Sequence, residues 1–374
     1  MAKDHFVPRH YLRRFSINKS ELIVVAKVSP YKYLGPKGIG GQCQEDEFYE
    51  NNEALDKVWW AAENDIAPVL VRVSQNEDFN EQELVALRWL VATLHVRTKR
   101  AIEASKVLPK YICYDVIKYA IDRGELPPPP DGKWSEQLID FKGAAALLSQ
   151  LVLPCSMEMQ TLAGKLLKAE SGTFFITSDN PVVRLNQFCS AVEPFRSYAG
   201  FGRSGFQSLL PISPALCLLF YDPKVYKVGS RRHRLIEVSK SDVEIINSLQ
   251  VQSADDRVYF HEPRFEKDIE QLIGRYGNLR SPNRDFLRTI PGKNPNEELL
   301  HFRAPSMKLP SLWACCRLRR HVDCQVGDRR HPAWTALIEE LMNDLEKHPG
   351  NVDIQQRIEK IIADPNSLQN IRLR

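Results

Sequence analysis

Residues 172–185 have the sequence GTFFITSDNPVVRL, in which aromatic and β-branched residues flank a Ser-Asp-Asn-Pro interruption. Aromatic and β-branched side chains favour strands, and Asp, Asn and Pro are typical of tight turns. The stretch therefore predicts a buried strand, a turn at Asp179 and Asn180, and a second strand. Residues 206–223, FQSLLPISPALCLLFYDP, repeat this arrangement around a Pro-Ile-Ser-Pro corner. The two units predict a mostly antiparallel β layer.

Further elements are predicted on both sides of these units. Residues 239–260 predict a helix from about Asp242 to Gln252 and a strand from Arg257 to Phe260. Near the N-terminus, residues 21–28 (ELIVVAKV) predict a short strand. The glycine- and proline-rich residues 33–43 (YLGPKGIGGQC) predict a loop. That loop lacks the sequence of a phosphate-binding P-loop and the spacing of a dinucleotide-binding motif.

The region from about residue 52 to residue 152 has helical periodicity. Four helices are predicted there. The first begins at Asn52, and the second runs from about Asn80, an N-cap with Glu83 as its capping-box partner, to Ala101. The third covers residues 111–121 and the fourth covers about residues 135–150. The β-rich part follows at about residues 172–262. This order predicts an α+β fold, in which a helical N-terminal layer packs on the β layer.

A domain boundary is predicted near residue 295, where the density of apolar residues falls. Residues 1–294 would form the α+β domain, and residues 295–374 would form a linker and a small helical C-terminal extension. Within it, residues 331–348 (HPAWTALIEELMNDLEKH) place Leu337, Leu341 and Leu345 on one helical stripe. Such a stripe can pack on another chain, so residues 330–374 are a candidate protein-binding arm.

The composition is that of a folded, soluble protein. Of 374 residues, 43% are hydrophobic and 26% are charged, which argues against extensive disorder. No window approaches the roughly 18–20 consecutive apolar residues of a membrane helix, and the first residues lack the apolar run of a signal peptide. A cytoplasmic location without a membrane partner is therefore expected. The eight cysteines are mostly scattered, which favours reduced thiols over a disulfide framework.

The net charge of +4 is distributed unevenly along the chain. Basic clusters occur at Arg9–Arg14, at Arg97–Arg100, at Arg231–Arg234 and between Arg317 and Arg330. Such clusters are usually solvated faces of a protein. The alternative is a surface for a polyanion, such as nucleic acid or a nucleotide.

Two charged residues fall on the apolar sides of predicted helices. Glu63 shares a helical face with Trp59, and Arg97 lies on the stripe that contains Leu94. Burying an unpaired charge costs several kcal/mol, so each of these residues needs a partner or a purpose. Arg97 could also extend to solvent along its aliphatic stem, or pair with Glu63 as a structural bridge.

The N-terminal segment HFVPRHYLRRF, residues 5–15, has rings and aliphatic side chains spaced to fix it against a core, with His5 at the edge of that core. Asp179 and Asn180 end a strongly apolar strand, where ligand sites collect in many sheets, although Asp-Asn-Pro is also common turn chemistry. His5, Glu63 and Asp179 are ligand types that bind Mg²⁺, Mn²⁺ or Zn²⁺, and an inward Arg97 could contact a phosphate. Spacing does not establish that these side chains meet.

Six segments resemble recurrent segments of the bacterial domain-of-unknown-function 4238 family: HFVPRHYLRRF, the glutamate of WWAAENDIAPVL, RTKR, FFITSDNPVV, LLPISPALCLLF and INSLQVQSADDRVY. The resemblance covers about residues 5–262. It implies that the signature polar positions are His5, Glu63, Arg97, Asp179, Asn180 and Asn247. It implies no activity, because the name of the family assigns none. His95 departs from the family, which has glutamine there, and the C-terminal extension has no counterpart in it.

A candidate zinc-binding cluster and the absence of several catalytic motifs limit the classes of enzyme that the sequence supports. Cys315, Cys316, His321 and Cys324 are metal-ligand types, but adjacent cysteines do not easily face one ion, so their spacing is not typical of structural zinc. No Gly-x-Ser-x-Gly, His-Glu-x-x-His or P-loop motif occurs. This argues against a serine hydrolase, a zincin and a P-loop ATPase.

Two functions remain as alternatives. The sequence favours a metal-assisted phosphodiester hydrolase, nuclease-like and suited to a toxin or a phage-defence system. His5, Glu63 and Asp179 would hold Mg²⁺ or Mn²⁺, and Arg97 and Asn180 would complete the catalytic set. The alternative is a non-catalytic binding or regulatory module in which the same residues form a buried structural network.

Overall fold

The computed structural model describes residues 3–49, 52–128, 143–192, 199–230, 232–280, 287–291, 298–302, 307, 315–325 and 327–363. The fold is α+β, as predicted. The predictions for residues 135–150, for Arg231 and for residues 295–374 lie partly or wholly outside the described residues.

The helices in this part of the chain form the first layer and several smaller attachments. They are α1 (Arg9–Leu12), α2 (Glu53–Asn76), α3 (Glu81–Val96), α4 (Lys99–Asp122), α5 (Ala144–Ser149), α6 (Val152–Glu158), α7 (Gln187–Val192), α8 (Lys240–Ser253), α9 (Glu266–Tyr276), α10 (Pro332–Lys347) and α11 (Val352–Ala363). The long helices α2, α3 and α4 lie consecutively in the N-terminal half, as the periodicity predicts.

The strands are shorter and are concentrated in the second half. They are β1 (Lys3–His5), β2 (Leu22–Val28), β3 (Tyr31–Gly38), β4 (Gln44–Asp46), β5 (Ala163–Ala169), β6 (Thr177–Ser178), β7 (Val183–Leu185), β8 (Gln207–Pro211), β9 (Leu216–Tyr221), β10 (Tyr226–Val228), β11 (Leu235–Val238), β12 (Arg257–Phe260), β13 (Leu287–Pro291), β14 (Glu298–Phe302) and β15 (Cys316–Leu318). The strand predicted at Arg257–Phe260 has these bounds.

Two larger sheets form the β layer. The first has the order β11-β5-β9-β8-β7 and is antiparallel except for the β11–β5 pair. The second has the order β3-β2-β12-β6 and is antiparallel throughout. The predicted strand, corner and strand within residues 206–223 are confirmed as β8 and β9. The turn between β6 and β7 carries Asp179 and Asn180 at the junction of the two sheets.

The loop predicted at residues 33–43 is wrong in its first half, which is the strand β3. This strand pairs with β2, and the register shifts between Val25 and Ala26. Pro36 lies within β3, which is an edge strand. Proline is tolerated at sheet edges because its missing N–H removes no bond to a second neighbour. The pairing with β2, which local sequence does not encode, decides this element.

The single helix predicted from Asn80 to Ala101 is two helices. The capping box of Asn80 and Glu83 is present as predicted. However, α3 ends at Val96, and α4 begins after Thr98, whose hydroxyl accepts a hydrogen bond from the N–H of Ala101. The junction between α3 and α4 therefore holds Arg97 and Thr98 outside both helices.

The N-terminal segment is fixed by its backbone and by its rings. β1 pairs with β4, and Tyr11 and Phe15 are fully buried. The hydroxyl of Tyr11 donates to the carbonyl oxygen of Pro211 at 2.6 Å and lies 2.7 Å from Oγ1 of Thr177. The main core lies between this segment, the helices α2 and α3, and the sheets. The N-terminus is thus a structural part of the interface between the layers.

The C-terminal extension packs on the helical layer. Trp334 of α10 is fully buried, and its Nε1 donates to the carbonyl oxygen of Met157 at 2.9 Å. Leu341 of α10 is buried in the same cluster, which also contains Ile358 of α11. Arg330 donates to the carbonyl oxygen of Glu158 at 2.6 Å. The apolar stripe of α10 is therefore covered by residues of its own chain.

Membrane insertion by a helix has no support in the described residues. None of their helices combines the length and the apolar composition needed to cross a membrane.

Candidate functional site

Three of the predicted site residues meet around the guanidinium of Arg97. This group donates to Oε1 of Glu63 at 2.6 Å, to the backbone carbonyl oxygen of His5 at 2.6 Å and to the hydroxyl of Tyr49 at 3.1 Å. Arg97 is only 3% exposed. The α3–α4 junction supplies the arginine, α2 supplies the glutamate and β1 supplies the carbonyl, so the network joins three separate elements.

The surroundings of Arg97 keep the network ionised. Cζ of Arg97 lies 5.1 Å from the ring centroid of Trp59 and 5.9 Å from that of Tyr49, which is cation–π geometry. Burial opposes ionisation of Glu63, but hydrogen bonds from His10 and Arg97 outweigh it and lower the pKa of Glu63. Burial likewise opposes the charge of Arg97, yet Tyr49 and Glu63 hold its pKa above the ordinary value. The arrangement is that of an ion pair between a buried arginine and a partly exposed glutamate.

The ring of His5 takes no part in the contact with Arg97. Its Nε2 lies 3.2 Å from the carbonyl oxygen of Gly40. A carbonyl only accepts, so Nε2 carries the proton. Burial lowers the pKa of His5. The ring is therefore neutral at pH 7, and one nitrogen is already used.

Asp179 holds a backbone loop. Its carboxylate accepts hydrogen bonds from the N–H groups of Asp255, Asp256 and Arg257 at 2.7, 2.8 and 2.9 Å. Burial and the charge of Asp255 raise the pKa of Asp179 to about 6, although the backbone hydrogen bonds act in the opposite direction. Both oxygens are engaged in holding the connection between α8 and β12.

Asn180 joins the same connection to the helical layer. Its amide donates to the carbonyl oxygen and to the hydroxyl of Ser253, both at 3.0 Å. Its Oδ1 accepts from the hydroxyl of Thr98 at 2.9 Å. Asn247 acts similarly on the segment that precedes β6, because its Oδ1 accepts from the N–H of Ile176 and its amide donates to the carbonyl of Phe174. These asparagines crosslink layers through the backbone.

The predicted Mg²⁺ or Mn²⁺ ligands do not fit a metal ion. His5 uses Nε2 on Gly40, Glu63 faces Arg97 and His10, and Asp179 faces three backbone N–H groups. Within the part of the chain that the structure describes, no group of three His, Cys, Asp or Glu residues could hold a metal ion. The contacts of Asp179 are thus separate from those of Glu63 and His5.

A pocket of about 510 Å³ lies beside the α3–α4 junction. We call it the arginine pocket and define it by His95, Arg100, Cys155, Asn180, Arg184 and Phe201. His95 and Arg100 come from the two sides of the junction, and Arg184 comes from β7. The segments RTKR and SDNP that carry the family resemblance therefore line one cavity.

Arg184 is the distinctive residue of this pocket. Its guanidinium donates to the carbonyl oxygen of Ala199 at 3.3 Å, and its Cζ lies 5.7 Å from the ring centroid of Phe201. Among the described residues it forms no ion pair. Burial and the nearby positive charge of Arg100 lower the pKa of Arg184, but an arginine stays protonated in proteins. The pocket thus contains a half-buried cation that has no acidic partner among the described residues.

Two uncharged groups complete the polar lining. Burial and the charge of Arg184 hold the pKa of His95 well below its ordinary value, so the ring is neutral. This ring lies 5.2 Å from that of Phe201. Burial raises the pKa of Cys155 to about 12. Its thiol is therefore protonated at pH 7 and is not an activated nucleophile.

Sequence reasoning missed Arg184 and used His95 only as a departure from the family. Arg184 alternates with the buried Val183 and Leu185, so the strand period assigns it to the solvent side. An arginine beside the Asp-Asn-Pro turn was the available signal. Residues from other elements, such as Phe201, cover that side of the strand, and the local sequence does not encode these contacts.

Comparison with known proteins gives a family and no function. A family model described as "Protein of unknown function (DUF4238)" matches residues 3–264. No curated protein and no solved structure matches the chain.

Proposed function

Since the chain belongs to the DUF4238 family, which is described as being of unknown function, we propose that it is a non-catalytic module that binds a small organic anion in the arginine pocket. The observation that carries this proposal is Arg184, a half-buried guanidinium that lacks an acidic partner among the described residues. Withdrawing a charge from water without a partner is costly. A bound carboxylate or phosphate would provide that partner with bidentate geometry.

The walls of the pocket favour a ligand with an apolar body. Val96, Leu148, Val182, Phe201 and Met307 line it. Small-molecule sites commonly combine such apolar walls with a few polar groups that fix orientation. The anionic head would lie between Arg100 and Arg184, and an aromatic or aliphatic body would pack on these walls.

The network of Arg97, Glu63 and His5 supports the pocket from outside its lining. The contacts of Arg97 with Glu63 and His5 fix one end of the α3–α4 junction. Asn180 fixes Thr98 on the other side. The side chains of His95 and Arg100 are therefore presented by a junction whose backbone is held at several points, which suits a preorganised site.

Isothermal titration calorimetry of the full chain tests the proposal with phenyl phosphate, orthophosphate and phenol. We expect phenyl phosphate to bind most tightly, because it has both the anionic head and the apolar body. Replacing Arg184→Met should weaken its binding by about tenfold or more, since a charge-assisted hydrogen bond contributes roughly 1.5–3 kcal/mol.

The matched control is Arg123→Met, which removes an exposed arginine at the end of α4. It changes the net charge equally and should leave the affinity for phenyl phosphate unchanged. If the parent and Arg184→Met bind phenyl phosphate equally, or if neither binds it, the arginine pocket is not the proposed site.

The second candidate function is hydrolysis of a phosphodiester, and the neutral ring of His95 in the same pocket favours it. A neutral imidazole beside two guanidinium groups could accept a proton from water while the arginines stabilise a phosphate. The test is incubation with DNA, RNA and nucleotides, with and without Mg²⁺ or Mn²⁺. Turnover that His95→Gln abolishes would support hydrolysis, and metal-dependent turnover that Asp179→Ala abolishes would support the metal-assisted form.

A protein partner for residues 330–374 stays a prediction. Since the apolar stripe of α10 packs inside the chain, such a partner would contact the polar faces of α10 and α11. Charge reversal of Glu340, which is exposed, followed by measurement of the oligomeric mass, tests that contact. An unchanged mass would contradict it for a second copy of this chain.

A further inference from the structure

A second cleft, of about 750 Å³, lies where the start of α3 meets β5 and the turn after β10. We call it the basic cleft and define it by Glu81, Arg88, Lys165, Lys227, Arg234 and Arg319. Five of these six charged residues are cationic. Its one carboxylate, Glu81, already pairs with Arg234 at 2.6 Å. The cleft therefore has a strong excess of positive charge.

Arg88 places one of these charges deep in the cleft wall. It is 3% exposed and donates to Oε1 of Gln160 at 2.6 Å, a neutral acceptor. Its Nε is buried without a hydrogen-bond partner among the described atoms. Burial lowers the pKa of Arg88 to about 10. Arg88 thus keeps a full positive charge that nearby protein groups neutralise poorly.

Lys165 places a second buried charge on the facing strand β5. It is 4% exposed, and its ammonium donates to the carbonyl oxygens of Ser230 and His233. Both acceptors are neutral backbone groups. Burial and the charge of Arg234 lower the pKa of Lys165. Two buried cations therefore face one cleft, and neither forms an ion pair with a described residue.

The rim of the cleft brings together two basic clusters that are distant in sequence. Arg234 comes from the cluster at residues 231–234, and Arg319 comes from the cluster between Arg317 and Arg330. Pairing of β15 with β10 carries Arg319 to the rim, where its Nε donates to the carbonyl oxygen of Pro223 at 2.9 Å. The exposed Lys227 of β10 adds a mobile charge. Cations thus occupy several walls of one concavity.

We infer that the basic cleft binds a compact polyphosphate, a ligand with two or more linked phosphate groups. Arginine forks match phosphate oxygens in geometry and charge. A single phosphate would meet only part of the charge that surrounds the cleft. A nucleic-acid strand would need cations along an extended track, whereas these cations converge on one volume. This site is separate from the arginine pocket, with which it shares no lining residue.

Calorimetric titration of the full chain with inorganic triphosphate, pyrophosphate and orthophosphate tests the inference, at a constant ionic strength of about 0.15 M. We expect the affinity to rise from orthophosphate to triphosphate. The variant Lys227→Glu should weaken triphosphate binding by about tenfold or more, because it replaces an attraction by a repulsion. Lys227 is exposed, so its replacement should not affect folding.

Two controls make the result specific. Lys57→Glu reverses an exposed charge on α2 and should leave triphosphate binding unchanged. Arg184→Met alters only the arginine pocket and should also leave it unchanged, so the two proposals can fail independently. Equal binding of triphosphate by Lys227→Glu and the parent overturns the inference, as does no binding by the parent. Tighter binding of a single-stranded decanucleotide that triphosphate does not displace also overturns it.

Discussion

Arg97 is a buried arginine and Arg184 is a half-buried one, and their surroundings differ sharply. Arg97 contacts a carboxylate, a carbonyl and a phenol, and lies over two aromatic rings. Among the described residues, Arg184 has one long hydrogen bond to Ala199 and one ring contact. Arg97 therefore has an acidic partner, and Arg184 has none in the described part of the chain. The family resemblance draws attention to the first, whereas the candidate site is better explained by the second.

The largest effect should come from Arg97→Met. Removing this arginine leaves Glu63 and the carbonyl of His5 without their shared donor, so the free energy of unfolding should fall by about 3–5 kcal/mol. Urea denaturation of the parent and the variant measures the difference. A loss below about 1 kcal/mol would mean that Arg97 is not part of a structural network.

The next effect is a pH dependence caused by Asp179. Its pKa of about 6 in the folded chain exceeds the ordinary value of 3.8, so between these values the folded state holds more protons than the unfolded state. The contribution of Asp179 to stability is therefore greatest at low pH and is lost as the pH rises through 6. The slope is at most about 1.4 kcal/mol per pH unit.

The variant Asp179→Asn isolates this dependence, because its amide does not titrate. The free energy of unfolding of the parent, relative to that of the variant, should rise when the pH is lowered from 7 to 4. Urea titrations at several pH values provide the measurement. A relative stability that instead falls over this range would show that the three backbone hydrogen bonds dominate and hold the pKa below its ordinary value.

A smaller loss is expected for Glu63→Gln. Glu63 is about one-third exposed, so solvent weakens its ion pair, and the amide oxygen can still accept from Arg97. We expect a loss of about 1–2 kcal/mol in the free energy of unfolding. Combining it with Arg97→Met in a double-mutant cycle should give a coupling energy of the same order. Strict additivity would contradict a direct contact.

The smallest effect on stability, and the sharpest contrast, is expected for Arg184→Met. This replacement removes a half-buried charge and, among the described residues, breaks one hydrogen bond, the 3.3 Å contact with Ala199. The free energy of unfolding should change by less than about 1 kcal/mol or should increase, as is common when functional groups are replaced. Arg97→Met is the matched comparison. Equal losses for the two variants would remove the distinction between them.

Local signals in the sequence predict much of the fold. The capping box at Asn80 and Glu83 sets the start of α3, and continuous apolar runs beside turn residues locate β8, β9 and β12. The sequence-based predictions are wrong where contacts between residues distant in sequence determine the secondary structure. β3 is a strand because β2 pairs with it, and α3 ends early because Thr98 caps the next helix although the apolar stripe continues.

The candidate site is predicted less completely, for the same reason. The sequence offers the pairing of Arg97 with Glu63 as one alternative, since both residues lie on apolar helical faces. For Asp179 it predicts either a ligand or a turn, and the carboxylate in fact holds the loop at residues 255–257. How far Arg184 is exposed depends on residues from other elements. The period of side chains along a strand and the spacing of residues in the sequence do not specify those contacts.

The burial of Trp334 shows that the folded unit extends beyond the residues that match the family. The family match ends at residue 264, yet Met157 and Glu158 inside it are covered by Trp334 and bonded by Arg330 from beyond it. A chain truncated after residue 264 would expose to solvent the apolar surface of α6 that Trp334 covers. Expression of the family-matched residues 3–264 therefore needs the C-terminal helices as well, because they shield this surface.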